Sequence, residues 1–478
     1  MPEKANSYDF HWAAAYSAFL GFMLLSGGIS LPTQTMLYAH AGVSSLILIF
    51  ALLRLVRQGF PSELAKIGTV LAAAALALVL AQLIPLPQAL WQFLPEHALV
   101  LRNGQLLGQI IDKMPLSLSP EHTRIAAVTL VPALAGYLGA LTVSLRYFIL
   151  CGLVVITCTA TGVVFSLLQI AQGPASAFYI YESEPGIGIG TFNNHNFFAA
   201  EIYSSIVFAG MLFAHFRQKH SGRLIIEAMF ALVFCGIALS DLALTGSRAG
   251  ILLSMLAIPA ALLLVQRNST DRSKLSKSSA IVAVTLVGLL IVAQSSMLGI
   301  LRLASNDIVD QSRMTIFERS WKVLAQTFPM GSGFGTFVPM YQLYETPQMI
   351  APEIINHAHN DWLEIAIEGG LPAIILEGAF LVLIFILFLK LWRPRGGQQQ
   401  IPFQRGSIVV VLLLMIHSLV DFPLRTPAMM TLFAMCCAIA AVPSSVPQRL
   451  QYKRKTVSEA NSPKPFMGAA GAFKPNIH

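Results

Sequence analysis

Residues 148–171 read FILCGLVVITCTATGVVFSLLQIA and contain no charged side chain. An α-helix rises about 1.5 Å per residue, so a run of about 20 apolar residues crosses a hydrocarbon core of about 30 Å. Comparable runs recur along most of the chain, and only 11% of its 478 residues are charged, against about a quarter in soluble domains. The sequence therefore predicts an all-α membrane protein that crosses the bilayer repeatedly.

The hydrophobic runs divide the chain into one membrane domain and a tail. Residues 1–443 form the predicted membrane domain, into which residues 301–370 are inserted as a large helical loop. Residues 444–478 are basic and rich in Pro, Gly and Ala, which is typical of a disordered segment. The predicted transmembrane helices number twelve: 12–30, 36–56, 67–85, 124–144, 148–171, 196–215, 224–243, 249–266, 280–300, 371–391, 406–422 and 427–443.

The distribution of Lys and Arg orients these helices. If the N-terminus is inside, 22 of the 31 basic residues fall on the inner side. Because Lys and Arg accumulate on the cytoplasmic side, both termini are predicted to be cytoplasmic. The loops 86–123, 172–195 and 301–370 then face the periplasm of a bacterial inner membrane. The net charge of +8 follows this pattern, so the lipid bilayer is a predicted partner and nucleic acid is not.

Arg248, in the segment LTGSRAG, opens a predicted transmembrane helix on the outer side, with Ser247 as its N-cap. A cation at a helix N-terminus opposes the helix dipole. The placement makes sense if free backbone N–H groups and the guanidinium bind an anion together. The alternatives are an interfacial arginine that extends towards water, or a salt bridge to Asp241.

The large loop contains a second candidate anion ligand in the helical pattern RMTIFERSWKVLAQTF. At 100° per residue, Arg313 shares a face with Phe317 and Trp321, whereas Arg319 lies on the other side. An arginine on an apolar face needs a partner, so Arg313 is the primary candidate for a ligand contact and Arg319 the second. The alternative partner of Arg313 is an aspartate shortly before it in the chain.

The segment INHAHNDWLEIAIEGG supplies a candidate base, His359. A neutral imidazole accepts or orients a hydroxyl proton. His357, His359 and Asp361 are very close together in the chain, and no fourth ligand is obvious. The segment therefore does not favour a metal site. Asn360 and Asp361 are candidates to bind sugar hydroxyls or to hold His359. The alternatives are a surface histidine that caps the helix beginning near Asn360, and a solvated acidic helix face.

The segment GIGIGTFNNHNFFAA, residues 186–200, opens another predicted span. No strand precedes its glycines, so it does not predict a nucleotide site, and no cofactor is expected. The amides of Asn194 and Asn196 both donate and accept, which suits sugar hydroxyls, although an asparagine N-cap is an equally good explanation. Glu201 lies one turn into the span, and an intramembrane carboxylate is a candidate functional group.

Two further segments have structural interpretations. Asp421 is predicted to pair with Arg425 or with His417, four residues away on either side. The glycines of MGSGFGTF permit either a close approach of backbone to a ligand or an ordinary turn. Gly369 and Gly370 are predicted to end the helix that follows His359.

Five segments in order resemble the O-antigen ligase and polymerase family over residues 185–425. They are GTFNNHNFFA, LTGSRAG, R-x5-R-x-W followed by PMGSGFGTF, HAHNDWLE with EGGLP, and HSLVDFPLR. The resemblance implies a GT-C-like glycosyltransferase that uses an undecaprenyl-diphosphate-linked glycan on the periplasmic face, without a metal ion. It further implies that Arg248 and Arg313 bind the donor diphosphate and that His359 activates the acceptor hydroxyl.

The resemblance leaves the acceptor open. A glycan acceptor makes the chain a polymerase, lipid A-core makes it an O-antigen ligase, and a protein makes it an O-oligosaccharyltransferase. Two other classes remain as alternatives, a twelve-span lipid or polysaccharide transporter and a non-enzymatic polysaccharide-binding scaffold. The single large outer loop and the scarcity of ionisable residues within the spans favour the transferase.

Overall fold

A computed structural model describes residues 2–94, 97–181, 187–219, 236–239, 245–266, 308–345, 354–393 and 402–443. Residues Met1–Val442 belong to one compact unit. The described helices are α1 (Pro2–Ser26), α2 (Gln34–Gln58), α3 (Glu63–Ala81), α4 (Gln88–Trp91), α5 (Ala98–Leu106), α6 (Pro120–Thr129), α7 (Val131–Leu141), α8 (Phe148–Gln172), α9 (His195–Lys219), α10 (Arg248–Gln266), α11 (Ile308–Thr327), α12 (Phe337–Gln342), α13 (Asp361–Trp392), α14 (Pro402–His417) and α15 (Pro427–Ala441).

Short elements join these helices. Strands β1 (Pro85–Pro87) and β2 (Lys113–Pro115) pair antiparallel between α3 and α6, with Leu86 opposite Met114. Three 3₁₀ turns, Leu145–Tyr147, Gly173–Ala175 and Pro423–Arg425, complete the described elements.

Seven helical stretches within the described residues are long and apolar enough to cross a membrane, and α14 and α15 are shorter apolar helices. All of them lie on predicted spans, which confirms the prediction of an all-α polytopic membrane protein. The predicted spans 224–243 and 280–300 fall outside the described residues, apart from a helical piece at 236–239. The count of twelve therefore stays a prediction.

Helix α9 lies at the centre of the bundle, where it packs against α8, α10 and α14. Small residues allow this close packing, as is common between membrane helices. A Cβ added at Gly210 of α9 would lie 2.9 Å from the Cα of Ala261 in α10. The second halves of α9 and α10 are thereby held in close contact.

The large loop has a small hydrophobic core of its own. Ile316 and Val323 of α11 pack with Tyr341 of α12 and with Leu363 and Ile367 at the start of α13. Gly370, with φ +60°, interrupts α13 as the glycine pair predicts, so that residues 361–369 form a separate helical segment before the apolar part of the span. The loop helices are therefore fixed to the outer ends of the spans.

Candidate functional site

Asp421 is the centre of a polar network at the outer ends of the helices. Its carboxylate is 1% exposed. One oxygen, Oδ2, accepts a hydrogen bond of 2.6 Å from Asn196 Nδ2 and lies 3.8 Å from Arg313 Nη2. The other, Oδ1, lies 3.2 Å from His359 Nδ1 and accepts from the backbone N–H of Phe422 at 3.0 Å. Asp421 thus joins three residues that the sequence placed in separate motifs.

The same network reaches the start of α10. Asn196 accepts a hydrogen bond of 2.7 Å from Ser247 Oγ, and Ser247 Oγ accepts one of 3.1 Å from the backbone N–H of Gly250. Ser247 is therefore the N-cap that the sequence predicts. Arg248, the next residue, is partly buried at the first position of α10. Its alternative partner Asp241 lies outside the described residues.

His359 is held in an unusual backbone conformation, with φ +50°. A left-handed conformation in a residue other than glycine is uncommon and is often found at functional sites. The ring makes an edge contact with Phe422, with 4.9 Å between ring centroids, and the side chain is 24% exposed. The imidazole is therefore fixed on one side and open on the other.

The ionisation of Asp421 determines the tautomer of His359. Burial acts to raise the pKa of Asp421. The hydrogen bond from His359 and the charges of His359 and Arg313 outweigh burial and lower this pKa to about 2. An ionised carboxylate only accepts hydrogen bonds, so His359 Nδ1 carries the proton between them. The Nε2 atom is then the ring nitrogen that a hydroxyl can approach.

The structure brings Arg313 close to Asp421 at the outer ends of the helices. The buried face of α11 contains Ile316, Ser320 and Val323, whereas Phe317 is 39% and Trp321 52% exposed. Arg313 lies at the edge of the buried face and contacts Asp421. Phe317 and Trp321 lie beside Arg313, as the helical spacing predicts, on a side of the helix that does not pack against the protein.

A second buried cluster surrounds Arg425. Its guanidinium lies 3.3 Å from a carboxylate oxygen of each of Asp361, Glu364 and Glu368. Burial disfavours the charge on Arg425, but these carboxylates outweigh it and raise the pKa of the guanidinium above its usual range. The predicted Asp421–Arg425 pair is wrong, because each residue has other partners.

The Arg425 cluster holds the histidine segment in place. Glu364 accepts hydrogen bonds of 2.8 Å from His357 Nδ1 and from the backbone N–H of Ala358. Asp361 accepts from Ser418 Oγ at 2.7 Å. His357, His359 and Asp361 therefore have different partners and do not converge on one point. Within the described residues no His, Cys, Asp or Glu group has an arrangement suited to a metal ion.

Other predicted site residues have structural contacts. Asn194 is the N-cap of α9, because its side chain accepts from the backbone N–H of Asn196 at 2.7 Å. Asn360 caps α13 by accepting from Leu363 N at 3.0 Å. Arg319 donates to the backbone carbonyl of Tyr344 and so joins α11 to the segment after α12. Within the described residues, none of these three side chains makes a hydrogen bond or an ion pair with Asp421.

Glu201 is fully buried in α9, five residues after Asn196. Neither of its carboxylate oxygens has a hydrogen-bond partner among the described residues. Thr159 of α8 is close enough to interact with Glu201 but donates its hydroxyl to the carbonyl of Val155. Glu201 therefore makes no hydrogen bond to His359 or Arg313 among the described residues.

Three glycines of the MGSGFGTF turn, Gly331, Gly333 and Gly335, have positive φ angles between 79° and 106°. A Cβ added at Gly331 would lie 2.4 Å from the carbonyl oxygen of Glu368, so the turn packs against the backbone at the Gly370 kink. The carboxylate of Glu368 also accepts from the N–H of Gly335 at 2.9 Å. The turn is thus a packing element, consistent with the interpretation as turn chemistry.

Sequence reasoning missed Asp421, Arg425 and Ser418 as site residues. Their partners lie more than 50 positions away along the chain, which a reading of local spacing does not detect. The available signal was the segment HSLVDFPLR, in which two charged residues follow the end of an apolar helix. Charged residues at that position have to be paired.

Together these residues define a class of site. A multi-pass membrane protein carries, at one end of its helices, an imidazole oriented by a carboxylate beside a partly exposed guanidinium. Such a site suits an anionic substrate and a reaction that moves a proton.

A family model described as O-antigen ligase matches residues 230–376. The matched segment contains Arg248, Arg313 and His359, whereas Asn196 and Asp421 lie outside it. This match covers less than half of the chain and supports the resemblance of its motifs to the O-antigen ligase and polymerase family. No curated protein shows a significant match to the chain.

Proposed function

We propose that the chain is an inner-membrane glycosyltransferase whose active site faces the periplasm. It moves a glycan from an undecaprenyl-diphosphate donor to an acceptor hydroxyl, as an O-antigen or exopolysaccharide polymerase or as an O-antigen ligase. The family supports a function of this general type. The observation that carries the finer proposal is the Asp421 network, which joins His359 and Arg313 and reaches Arg248 through its helix cap.

Arg248 and Arg313 are the proposed donor-binding residues. Arg313 lies 3.8 Å from Asp421, beyond ordinary hydrogen-bond distance, and its side chain is 36% exposed. Its donors are therefore available to a diphosphate, which guanidinium groups bind with two hydrogen bonds at once. Arg248 adds a second guanidinium at the start of α10, where backbone N–H groups also favour an anion. This positive charge stabilises the leaving diphosphate without a metal ion.

His359 is the proposed general base. Its Nε2 accepts the proton of the acceptor hydroxyl while the acceptor oxygen forms a bond to the anomeric carbon of the donor. The bond between that carbon and the phosphate oxygen breaks, and undecaprenyl diphosphate leaves with the electron pair. Attack from the side opposite the leaving group inverts the anomeric carbon. Asp421 stabilises the imidazolium that forms.

The other predicted site residues act around this centre. Asn360 and Asp361 border the acceptor side, and Asn194 and Asn196 border the donor side. Glu201 remains a candidate for an indirect role, because it lies in the same helix as Asn196. Arg319 is the reserve anion ligand. The acceptor is a glycan, lipid A-core or a protein.

Transfer by purified protein in vesicles that contain an undecaprenyl-diphosphate-linked glycan tests these assignments. Arg248→Ala and Arg313→Ala are each expected to lower the rate by about 10²–10³-fold, the effect of removing one anion-stabilising donor. His359→Ala is expected to lower it by about 10²–10⁴-fold. Arg319→Ala is the matched control and should lower it far less. A variant set in which Arg319 is essential and Arg313 is dispensable would contradict the assignment.

The glycan profile of a deletion strain separates the acceptors. Loss of long chains with single repeat units retained identifies a polymerase. Lipid-linked polymer that accumulates beside unmodified lipid A-core identifies an O-antigen ligase. Loss of glycan from a protein identifies a protein transferase, and an unchanged profile would contradict all three.

A further inference from the structure

Helix α11 has an exposed apolar surface in addition to its buried one. The exposed surface, here called the aromatic stripe, consists of Met314, Phe317, Trp321 and Phe328, which are between 39% and 61% exposed. At 100° per residue the first three cover a sector about 60° wide. Phe317 and Trp321 contact each other edge to face, with 6.3 Å between ring centroids. The stripe is therefore a continuous apolar surface on the outside of the protein.

The buried face of α11 shows that the stripe is not required for packing within the described residues. Ile316, Ser320 and Val323 form that face, and each is at most 6% exposed. The polar residues Glu318 and Lys322 lie on the remaining side of the helix and are exposed. Thus α11 has three sides, one against the protein, one apolar and exposed, and one polar.

Two points along α11 lie at the level where membrane-spanning helices begin or end. In its second turn, Arg313 contacts Asp421, four residues beyond the end of α14, and Asp421 binds Asn196 at the second position of α9. At its end, the carbonyl of Pro329 accepts a hydrogen bond of 2.8 Å from the backbone N–H of Leu371. Leu371 follows the Gly370 kink and begins the long apolar part of α13.

These anchors determine how α11 lies relative to the bilayer. The helix rises about 1.5 Å per residue, so the segment between Arg313 and Pro329 extends about 20–25 Å. Arg313 and Pro329 are separated by that distance, and both lie at the ends of spans. We therefore expect α11 to run along the membrane surface. An amphipathic helix in that position buries its apolar side in lipid, and Trp and Phe are typical of the interface.

We propose that α11 is an interfacial helix whose aromatic stripe inserts into the outer leaflet of the membrane. The stripe continues the lipid-facing surface of the spans to which α11 is anchored. Arg313 lies between the buried face and the stripe, so insertion holds its guanidinium at the depth of lipid headgroups. A lipid-linked diphosphate lies at that depth. This last consequence rests on the proposed function, whereas the insertion itself does not.

Spin labels on single introduced cysteines test the proposal. The full-length protein is reconstituted in vesicles of phosphatidylethanolamine and phosphatidylglycerol, with Phe317→Cys and Trp321→Cys as test variants. Glu318→Cys and Lys322→Cys on the polar side are matched controls. The four described native cysteines are buried, and the unsubstituted protein serves as the labelling blank. Collision of each label with oxygen and with a water-soluble nickel chelate gives its depth.

Labels at positions 317 and 321 are expected to favour oxygen and to lie about 5–10 Å below the lipid phosphates. Labels at positions 318 and 322 are expected to favour the nickel chelate. If the test labels were as accessible to nickel as the controls, the stripe would face water. If they were shielded from both reagents, another protein segment or a second copy would cover the stripe. Either result would overturn the proposal.

The depth measurement uses no glycan, so its failure is distinguishable from failure of the proposed function. A transfer assay adds the functional consequence. Trp321→Ser is expected to raise the KM for a membrane-embedded donor while leaving the KM for a short-chain, water-soluble donor unchanged. Equal effects on both donors would show that Trp321 acts on the fold of the site and not through the membrane.

Discussion

Asp421 connects residues that lie far apart in the sequence. His359 precedes it by 62 positions and Asn196 by 225. The residues that bear the proposed chemistry, Arg248, Arg313 and His359, were predictable because each stands in an unusual local context. Asp421, the partner of Arg313 and His359, was not predictable as such, because Arg425 and His417 each lie four residues from it and are nearer candidate partners. Spacing along the sequence points to partners that are near in the chain. The folded structure instead brings Asp421 together with residues that are far from it in the chain.

Replacement of Asp421 by asparagine should change the acid stability of the protein. The pKa of Asp421 is lowered from its usual value of 3.8 to about 2, so the folded protein binds fewer protons than the unfolded chain between these values. Stability from this carboxylate is therefore fully present above about pH 4 and is lost as the pH falls towards 2. Asp421→Asn should be less stable than the natural protein at pH 6, and the difference should shrink on acidification.

Thermal unfolding of both proteins in detergent, followed between pH 6 and pH 3, measures this difference. Other carboxylates titrate in both proteins, so only the difference between the two curves reports on Asp421. A difference that stays constant over the whole range would show that the charge of Asp421 is not a source of stability.

Arg313 shows how far helical periodicity alone can predict the contacts of a residue. Helical periodicity separated Arg313 from Arg319, and the structure places only Arg313 beside Asp421. Periodicity also placed Phe317 and Trp321 on the side of Arg313, and both are exposed in the structure. In a protein beside a bilayer, an apolar helix side has two apolar environments available. Sequence alone does not distinguish the protein interior from lipid.

Among the elements, hydropathy predicted the long helices well and the connections poorly. The bilayer thickness sets the length of a span, so the hydropathy of a segment predicts a span without information from the rest of the chain. The β1–β2 pair and α12 depend on distant partners. Gln82, at the end of α3, illustrates the difference: its side chain binds the carbonyl of Glu368 and the N–H of Phe334, more than 250 residues away. No local pattern predicts such contacts.

The close packing of Gly331 predicts that one added methyl group lowers the stability of the protein substantially. Gly331 has φ +79°, and a Cβ there would lie 2.4 Å from the carbonyl oxygen of Glu368. Gly331→Ala should therefore lower the free energy of unfolding by about 1–2 kcal/mol because of the positive φ. Overpacking against the Glu368 carbonyl should lower it by about 1–3 kcal/mol more. Thermal unfolding in detergent gives the measurement.

Gly108→Ala is the matched control. Gly108 also has a positive φ, +62°, but a Cβ there would have no atom within 4 Å. Gly108→Ala should therefore lower the free energy of unfolding only by the cost of the positive φ, about 1–2 kcal/mol. Equal losses at Gly108 and Gly331 would mean that the loop does not pack against the kink of α13.

At the scale of the molecule, Arg425 joins the loop helices to the spans. It is surrounded by Asp361, Glu364 and Glu368. Arg425→Ala leaves three buried carboxylates without their cation, and removing one partner of a buried pair typically costs about 3–5 kcal/mol. Arg319→Ala is the control, because it removes one hydrogen bond to a backbone carbonyl, worth about 1 kcal/mol.

Unfolding temperature and protease sensitivity of residues 308–345 measure the effect of Arg425→Ala. Because Glu364 and Asp361 position the histidine segment, we expect the loop to become protease-sensitive before the spans unfold. Equal behaviour of Arg425→Ala and Arg319→Ala would show that the carboxylate cluster is not stabilised by Arg425.

The orientation of the chain is a further prediction for the whole molecule. The excess of Lys and Arg predicts that residues 267–279 and the tail 444–478 are cytoplasmic and that the loop 301–370 is periplasmic. Single cysteines placed at position 275 and at position 345 should react with a membrane-impermeant reagent on opposite sides in intact cells. Labelling of both positions from outside would exclude a span over 280–300 and the count of twelve.

Asp421 and Arg425, which complete the proposed site, are the last of its residues to be synthesised. Arg248, Arg313 and His359 are made before Asp421 and Arg425, and synthesis at about 5–20 residues per second separates His359 from Arg425 by about 3–13 s. During that interval the imidazole has no carboxylate and the acidic cluster has no cation. A nascent chain that stops at the end of α14 therefore carries the proposed donor-binding arginines without the carboxylate that orients His359. Synthesis of the segment between α14 and α15 thus sets the moment at which the proposed site is complete.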